Sequence, residues 1–197
     1  MIKIIDYKAG NAPSVMHAVN RLGIGAEFAR APQDLVGASH IILPGVGSAK
    51  ATMESLRELG MLVPLQEAVL EQRTPFLGIC VGMQILFEHS EEEDTPCLGW
   101  LPGRVVKFDC AKVRVPQMGW NEVRFSGGAA NGHFYFVNSY YVKPARKTDL
   151  WGVTDYNGQF TAAVRRGNIC ATQFHIEKSG TAGLELLNTL LKGDSAC

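Results

Sequence analysis

The stretch Phe76-Leu77-Gly78-Ile79-Cys80-Val81-Gly82-Met83-Gln84 places one cysteine between two glycines. An apolar run precedes Cys80 and a helix-like run follows it. This is the pattern of a nucleophile elbow, a sharp strand-to-helix turn that carries the nucleophile. The turn requires small neighbours, which Gly78 and Gly82 provide. The start of a helix would favour the thiolate of Cys80, and the Val81 N–H could stabilise an oxyanion.

A second pattern, near the C-terminus, supplies the base that a thiol nucleophile needs. The segment Gln173-Phe174-His175-Ile176-Glu177-Lys178-Ser179-Gly180 holds a histidine and a glutamate two residues apart, so in extended chain they point the same way. Glu177 can then hold one ring nitrogen of His175 while the other faces Cys80, which predicts a Cys-His-Glu triad. In a doubly wound fold the two strand ends would lie on one edge of the sheet, where such folds place their sites.

Composition limits the class of protein. The 197 residues fit one domain, residues 1–197, and the 46% hydrophobic and 19% charged content is ordinary for a soluble protein. The formal net charge is zero, so nothing favours nucleic acid or an anionic membrane as a partner. No apolar run approaches a membrane span, and the start of the chain reads as a strand, with no signal peptide. The five cysteines lack disulfide-like spacing and form no Cys-x-x-Cys, which predicts a cytoplasmic protein without a metal site.

The first half of the chain alternates between strand and helix patterns. This alternation predicts parallel pairing with right-handed crossovers. The predicted strands are Ile2–Ile5, Ala26–Ala29, His40–Leu43 and Phe76–Ile79. The predicted helices are Ser14–Leu22, Ala49–Leu59, Leu62–Gln72 and Val81–Glu88.

The second half is rich in β-branched and aromatic residues. After an acidic surface loop at His89–Thr95, many antiparallel strands are expected, with a closing helix at Gly180–Leu191. The predicted strands are Arg104–Phe108, Phe134–Val137, Leu150–Thr154, Phe160–Arg165 and Ile169–Gln173. The sequence therefore predicts an α/β fold with a mostly parallel central sheet, helices on both faces and an antiparallel, β-rich C-terminal part.

Three further segments allow two interpretations each. Pro44-Gly45-Val46-Gly47 is either a tight turn or a flexible segment that completes an oxyanion hole. Pro116-Gln117-Met118-Gly119-Trp120-Asn121, with its glycine turn, belongs either to the core or to a partner surface. Asn138-Ser139-Tyr140-Tyr141 is either a strand edge or a set of polar groups for a small substrate. The remaining cysteines, Cys97, Cys110, Cys170 and Cys197, are expected to be inert or incidental. The remaining histidines, His17, His40, His89 and His133, are expected to be structural or exposed.

Together, these segments resemble the class I, or triad, glutamine amidotransferases. Within that family the chain is most similar to the glutaminase subunits of imidazole glycerol phosphate synthases, from histidine biosynthesis. The resemblance spans nearly the whole chain, and Met118-Gly119-Trp120-Asn121 is its most subfamily-specific motif. It rests on the elbow with Gln84, Pro44–Gly47, His175 with Glu177, Asp6-Tyr7 with Gly10-Asn11 near Ser14-Val15, Pro116–Asn121, and Tyr135-Phe136-Val137 with Ser139-Tyr140.

The resemblance implies a flavodoxin-like fold and a concrete reaction without a cofactor. Cys80 would attack the side-chain amide of L-glutamine and His175 would relay protons, so that a γ-glutamyl thioester forms, ammonia leaves and water releases glutamate. The residues implied to hold the glutamine are Gln84, Ser139 and Tyr140, with backbone from Gly45 and Val46.

The resemblance also implies a partner chain. Ammonia would pass through a tunnel to a cyclase subunit of (β/α)8-barrel type in a heterodimer, which makes imidazole glycerol phosphate and AICAR. Trp120 and Asn121 would face this partner, and Lys178 would lie near the interface gate.

Two positions depart from the family pattern, and other functions stay open. Ile176 stands where the family usually has proline, and Asn138 where it often has histidine. The alternatives are a glutaminase subunit of another synthase, such as one for pyridoxal phosphate or a sugar, a non-catalytic regulatory homologue, and a cysteine hydrolase. The Met-Gly-Trp-Asn segment argues against the first alternative, and the intact triad argues against the second.

Overall fold

The computed structural model describes residues 1–8 and 11–192, so Gly10 and Cys197 lie outside the described residues. The described part contains thirteen strands and five α-helices. The strands are β1 Ile2–Ile5, β2 Ala26–Ala29, β3 His40–Gly45, β4 Phe76–Cys80, β5 His89–Ser90, β6 Thr95–Pro96, β7 Gly103–Lys107, β8 Gln117–Phe125, β9 Gly132–Asn138, β10 Tyr140–Pro144, β11 Leu150–Asp155, β12 Gln159–Arg166 and β13 Ile169–Thr172. The helices are α1 Ala12–Arg21, α2 Ala49–Glu58, α3 Leu62–Gln66, α4 Val81–Gln84 and α5 Gly180–Lys192.

Most of the described strands form one mixed sheet with the order β2-β1-β3-β4-β13-β12-β11-β8-β9. The five strands from β2 to β13 run parallel, and the remaining pairings are antiparallel. A smaller sheet has the order β10-β7-β5-β6. The α/β class, the parallel central part and the antiparallel C-terminal part are confirmed.

The order of the parallel strands also places the helices. The chain steps from β1 to β2 in one direction and from β3 to β4 in the other. Because crossovers between parallel strands are right-handed, α1 and the pair α2 and α3 cover opposite faces of the sheet. The strand order reverses between β1 and β3, and the carboxyl ends of strands at such a switch point form a crevice that binds ligands.

Two predicted helices differ from the observed ones. The helix predicted over Leu62–Gln72 is α3 followed by one π-helical turn, Glu67–Glu71. The helix predicted over Val81–Glu88 ends at Gln84. The helix ends because the next carbonyl oxygens are used elsewhere: those of Ile85, Leu86 and Phe87 accept from N–H groups of the segment 98–101.

Three segments of the second half were predicted wrongly or missed. His89–Thr95 is not a plain loop, because β5 and β6 pair across a 3₁₀ turn at Glu92–Asp94. The glycine turn predicted within Pro116–Asn121 is wrong, since Gly119 lies inside the long strand β8. Neither β8 nor β10 was predicted as a strand. In β8 the outward residues Met118 and Trp120 are apolar, which hides the alternation that marks a half-buried strand.

Candidate active site

The turn around Cys80 is a strained nucleophile elbow. Cys80 has φ 56° and ψ −110°, a conformation that costs a non-glycine residue energy and that clusters at functional sites. Backbone crowding enforces the glycines on both sides. A Cβ on Gly78 would lie 2.5 Å from the Gly82 carbonyl oxygen, and a Cβ on Gly82 would lie 2.1 Å from that of Leu43. The predicted requirement for small residues at this turn is confirmed.

Three neighbouring parallel strands bring the predicted catalytic residues together. Cys80 ends β4, and its neighbour in β3 is Gly45. On the other side Thr172 of β13 pairs with Ile79, so the chain after β13 runs directly past the elbow toward His175. Cys80 and His175 line one cavity of about 270 Å³. The expectation that the two strand ends share one edge of the sheet is confirmed.

Packing and hydrogen bonds fix the segment that carries His175. Phe174 is fully buried, and the centre of its ring lies 4.2 Å from the centre of the Phe134 ring. The His175 N–H donates to the Tyr135 carbonyl oxygen at 2.9 Å. The Ser179 hydroxyl accepts from the Tyr135 N–H at 3.0 Å and donates to the His175 carbonyl oxygen at 2.6 Å. Strand β9 therefore holds the backbone on both sides of the histidine.

The side chains of Cys80, His175 and Glu177 form one hydrogen-bonded line. Glu177 Oε1 lies 2.9 Å from His175 Nδ1, which leaves the other ring nitrogen for Cys80. Burial alone lowers the pKa of His175, but hydrogen bonds to Cys80 and Glu177 outweigh it and raise this pKa to about 10. Both contacts of the imidazole, with the Cys80 sulfur and with the Glu177 carboxyl group, therefore favour its protonated form.

Asn11 completes this line and was not assigned a role from the sequence. Its Nδ2 donates to Glu177 Oε1 at 3.0 Å, and its Oδ1 accepts from the Ser14 hydroxyl at 2.7 Å. One carboxylate oxygen thus accepts from both Asn11 and His175. This arrangement fixes which face of the carboxylate meets the ring, as an orienting acid requires.

The cavity beside the sulfur holds the predicted substrate-binding residues. Gln84, Ser139 and Tyr140 all line it, together with Val46 and Val81. The Gln84 amide nitrogen donates to the Tyr140 carbonyl oxygen at 3.2 Å. These three residues are therefore positioned where a small polar ligand could reach Cys80.

Glu92 lines the same cavity and was missed by the sequence analysis. Its Oε2 accepts from the N–H of Ala49, the first residue of α2, at 2.9 Å. Burial raises the pKa of Glu92, and the hydrogen bond from Ala49 acts in the opposite direction. It is the one carboxylate among the residues that line this cavity, so it is the natural partner for a positively charged ligand group.

The segment Pro44–Gly47 lies against the elbow, and its residues Val46 and Gly47 line the cavity. A Cβ on Gly45 would lie 2.4 Å from the Gly82 nitrogen, so backbone touches backbone here. The Tyr7 hydroxyl donates to the Pro44 carbonyl oxygen at 3.0 Å. Burial raises the pKa of Tyr7, while hydrogen bonds from Thr52 and from the Val46 backbone lower it. The backbone of Val46 thus acts on the Tyr7 hydroxyl, and an oxyanion role for the Val46 N–H remains a prediction.

The predicted partner-facing residues lie outside the cavity. Trp120 is 56% exposed and the adjacent Met118 is 67% exposed. Asn121 donates from Nδ2 to the Asp155 carbonyl oxygen at 2.6 Å, and Lys178 is exposed in the 3₁₀ turn after His175. A Cβ on Gly180 would lie 3.8 Å from the Trp120 ring, so the tryptophan sits beside the segment that carries the base.

Both departures from the family pattern are buried. Ile176 is fully buried in the hydrophobic core. Asn138 lines the cavity and donates to the Tyr140 carbonyl oxygen at 3.0 Å, while its own Oδ1 has no hydrogen-bond partner. The polar contacts of this position therefore differ from those that a histidine ring could make.

The other cysteines and histidines that the structure describes stand apart from this cavity. Cys97, Cys110 and Cys170 are free thiols that do not line it, and burial raises the pKa of Cys97 to about 11. Within residues 1–8 and 11–192, no group of three or more His, Cys, Asp or Glu side chains could hold a metal ion. In the same residues no helix has the length and apolarity to cross a membrane.

Comparison with known proteins agrees with this geometry. The family model described as "Glutamine amidotransferase class-I" matches residues 3–192. The "Imidazole glycerol phosphate synthase subunit HisH" of Herpetosiphon aurantiacus is 46% identical, over 95% of this chain and 91% of the relative. "Imidazole glycerol phosphate synthase subunit HisH 2" of Methanococcus maripaludis is 40% identical, over 98% of this chain and 99% of the relative.

Solved structures support the fold. A "crystal structure of glutamine amidotransferase" superposes with a TM-score of 0.80 at 22% identity, covering 98% of this chain and all of the other. The "structure of PurLQS from Thermotoga maritima" gives a TM-score of 0.75 at 16% identity, with 97% of each chain covered. At these identities the similarity speaks for the fold alone.

Proposed function

The chain belongs to the class I glutamine amidotransferases, and from this premise we propose that it is the glutaminase subunit of an imidazole glycerol phosphate synthase. It is an enzyme, and its proposed reaction is the hydrolysis of L-glutamine to glutamate and ammonia. The observation that carries this proposal is the hydrogen-bonded line of Cys80, His175 and Glu177 at the wall of a cavity.

The first half of the reaction is acyl transfer to sulfur. The Cys80 thiolate attacks the side-chain amide carbon of glutamine, and the carbonyl oxygen takes up the negative charge. The Val81 N–H, at the first position of α4, has no partner within its helix and is available to this oxygen. Protonated His175 then gives its proton to the leaving nitrogen. The carbon–nitrogen bond breaks, ammonia departs, and a γ-glutamyl thioester remains.

The second half releases glutamate. His175, now neutral, takes a proton from water as the water oxygen attacks the thioester carbon. The carbon–sulfur bond breaks and the thiolate and imidazolium return as a pair. Glu177 orients the ring and stabilises the imidazolium, because its Oε1 accepts from His175 Nδ1 at 2.9 Å.

Substrate recognition follows from the charges at the cavity. We infer that the α-ammonium group of glutamine lies against the Glu92 carboxylate. The side chains of Gln84, Ser139 and Tyr140 offer polar partners for the rest of the substrate. A site built from hydrogen-bonding groups rejects analogues that lack the matching groups, since the buried polar atoms would then be unpaired.

A separate chain is proposed as the consumer of the ammonia. The partner is a cyclase of (β/α)8-barrel type that forms a heterodimer with this chain in the cytoplasm and makes imidazole glycerol phosphate and AICAR. Exposed tryptophan and methionine are enriched at protein contacts, so Trp120, with Asn121 and Lys178 nearby, is the proposed docking face. The proximity of Trp120 to the segment that carries His175 supports an exit of ammonia on that side of the molecule.

The orientation of the Val46 peptide suggests control of the reaction by the partner. We infer that in the isolated chain the Val46 peptide is directed toward Tyr7, since its backbone lowers the pKa of that phenol, so that one oxyanion donor is turned away from Cys80. Absence of such a donor typically costs about 10²–10³ in kcat. A partner that binds the turned peptide more tightly would restore it. Ammonia would then be produced mainly in the complex.

The proposal is tested by reconstitution with the cyclase. Glutamate release is measured for this chain alone, with the cyclase, and with the cyclase and its nucleotide substrate, while imidazole glycerol phosphate is quantified. We expect release to rise at each step and product to form from glutamine. Trp120→Ala should weaken the complex, and Val63→Ala, at a 65% exposed position in α3, is the matched control. Stimulation only by an unrelated synthase would contradict the proposed partner.

A further inference from the structure

Gln173 is a fully buried polar residue for which the mechanism above has no use. It directly follows β13, and its N–H is held by the Ala162 carbonyl oxygen at 2.8 Å. Its side-chain Nε2 lies 3.6 Å from the sulfur of Cys80. A buried amide is retained only where its hydrogen bonds are made, so this contact requires an explanation.

Neighbouring groups determine which end of the Gln173 amide faces the sulfur. The Tyr140 carbonyl oxygen can only accept, so Gln84 must present its Nε2 to it, at 3.2 Å. The same nitrogen donates to Gln173 Oε1 at 3.0 Å. With its oxygen turned toward Gln84, Gln173 necessarily presents its NH₂ group to Cys80. An amide NH₂ group can only donate, so the sulfur is the acceptor.

We propose that Gln173 is a positioning residue for Cys80, whose amide donates a hydrogen bond that holds the sulfur toward the cavity and stabilises it as a thiolate. The consequence for catalysis rests on the proposed glutaminase function. The effect on the sulfur does not, because it can be measured without glutamine.

Other charged and titratable groups act on the same sulfur, so the contribution of Gln173 must be separated from theirs. His175, backed by Glu177, faces Cys80 from beyond β13, and Tyr7 faces it from beyond β1. Glu92 lines the same cavity from the β5–β6 hairpin. Gln173 is neutral at every pH, so its removal shifts the titration of the sulfur without adding a titration of its own.

The test compares the pH dependence of Cys80 alkylation in the folded chain. Iodoacetamide is the probe, and mass spectrometry of the Cys80 peptide separates it from the other thiols. Gln173→Met removes the donor at similar volume. Gln173→Glu keeps an oxygen toward Gln84 and places a carboxylate oxygen against the sulfur. Asn168→Leu is the control, since Asn168 is an amide at the opposite end of β13 that donates to the Val69 and Thr74 carbonyl oxygens at 2.8 Å.

A charge-assisted hydrogen bond to sulfur predicts that Gln173→Met moves the alkylation midpoint upward by about one pH unit, a tenfold change. Gln173→Glu should move the alkylation midpoint further upward. Asn168→Leu should lower the melting temperature and leave the alkylation midpoint unchanged. The midpoint is the readout because the plateau rate also changes with thiolate basicity. If Gln173→Met does not fold, the isosteric Gln173→Glu decides.

Activity separates the two proposals. We expect kcat for glutamine to fall about tenfold in Gln173→Met at neutral pH, with KM little changed. Unmoved midpoints in both Gln173 variants would overturn the positioning role, even with an active wild type. If the alkylation midpoints move in the Gln173 variants but the wild-type protein shows no glutaminase activity, the positioning role is supported and the proposed function is refuted.

Discussion

Replacing Glu177 by glutamine removes one charge from the site while keeping the shape of the side chain. Glu177 Oε1 accepts from both His175 Nδ1 and Asn11 Nδ2, and its side chain is only 1% exposed, so water does not screen these bonds. A hydrogen bond to a charged group is worth about 1.5–3 kcal/mol. Loss of the charge should therefore lower kcat about 10- to 100-fold.

The orientation of the new amide sets where in that range the result falls. If the oxygen stays toward His175 and Asn11, the new NH₂ group occupies the place of Oε2, which has no hydrogen-bond partner, and a buried donor is left unpaired. If the amide turns, its NH₂ group meets two donors and forces the wrong tautomer of His175. The first arrangement predicts the lower end of the range, and the second predicts the upper end.

The assay is the pH profile of glutamate release by the complex. Glu177 and Cys80 keep His175 protonated by raising its pKa to about 10. In Glu177→Gln this pKa falls, so the alkaline limb of kcat/KM should move to lower pH. Glu185→Gln, an exposed change on α5, is the control. An unchanged kcat with an unchanged profile would refute the role of Glu177 as the orienting acid.

Three further predictions follow from the same site. Glu92→Gln keeps an oxygen for the Ala49 N–H but removes the negative charge, so KM for glutamine should rise about 10- to 100-fold with a smaller change in kcat. The control is Glu93→Gln at the exposed neighbouring position, which should leave KM and kcat unchanged. Gly82→Ala would bring a Cβ within 2.1 Å of the Leu43 carbonyl oxygen. The free energy of unfolding measured in urea should therefore fall by about 1–3 kcal/mol or more, and an unchanged value would contradict the elbow geometry. Because the pKa of His175 is raised from 6.5 to about 10, its stabilising contribution should be complete below pH 6.5 and disappear as pH rises through about 10, a dependence that must be absent in His175→Ala.

Local patterns made the catalytic residues predictable. The elbow is recognisable from adjacent residues alone, because only residues without a Cβ, here Gly78 and Gly82, allow the close backbone contacts of the turn. His175 and Glu177 were predictable as a pair from their spacing, but the expected extended chain between them is wrong. Ile176–Lys178 forms a 3₁₀ turn, and this turn brings Glu177 Oε1 to 2.9 Å from His175 Nδ1. The parallel alternation of strands then brought these segments to one edge of the sheet.

Residues whose roles depend on distant contacts could not be found in this way. Glu92 stands in the acidic run Glu91–Asp94, and nothing local distinguishes it from its neighbours. Only the β5–β6 hairpin turns it into the cavity. Asn11 and Gln173 belong to segments that the sequence singled out, yet their partners lie 166 and 93 residues away along the chain. Such contacts are properties of the folded chain.

The central claim is that Cys80 is the nucleophile of a glutaminase, and one measurement tests it most directly. Glutamate release from glutamine is compared between the wild-type complex and the complex with Cys80→Ala, with Cys170→Ala as a control for loss of a buried thiol elsewhere. Loss of a triad nucleophile can cost on the order of 10⁶ in kcat, so release should fall to background in Cys80→Ala alone. The same complex should still form product from added ammonium salts. Substantial glutamate release by the folded Cys80→Ala complex would contradict the account.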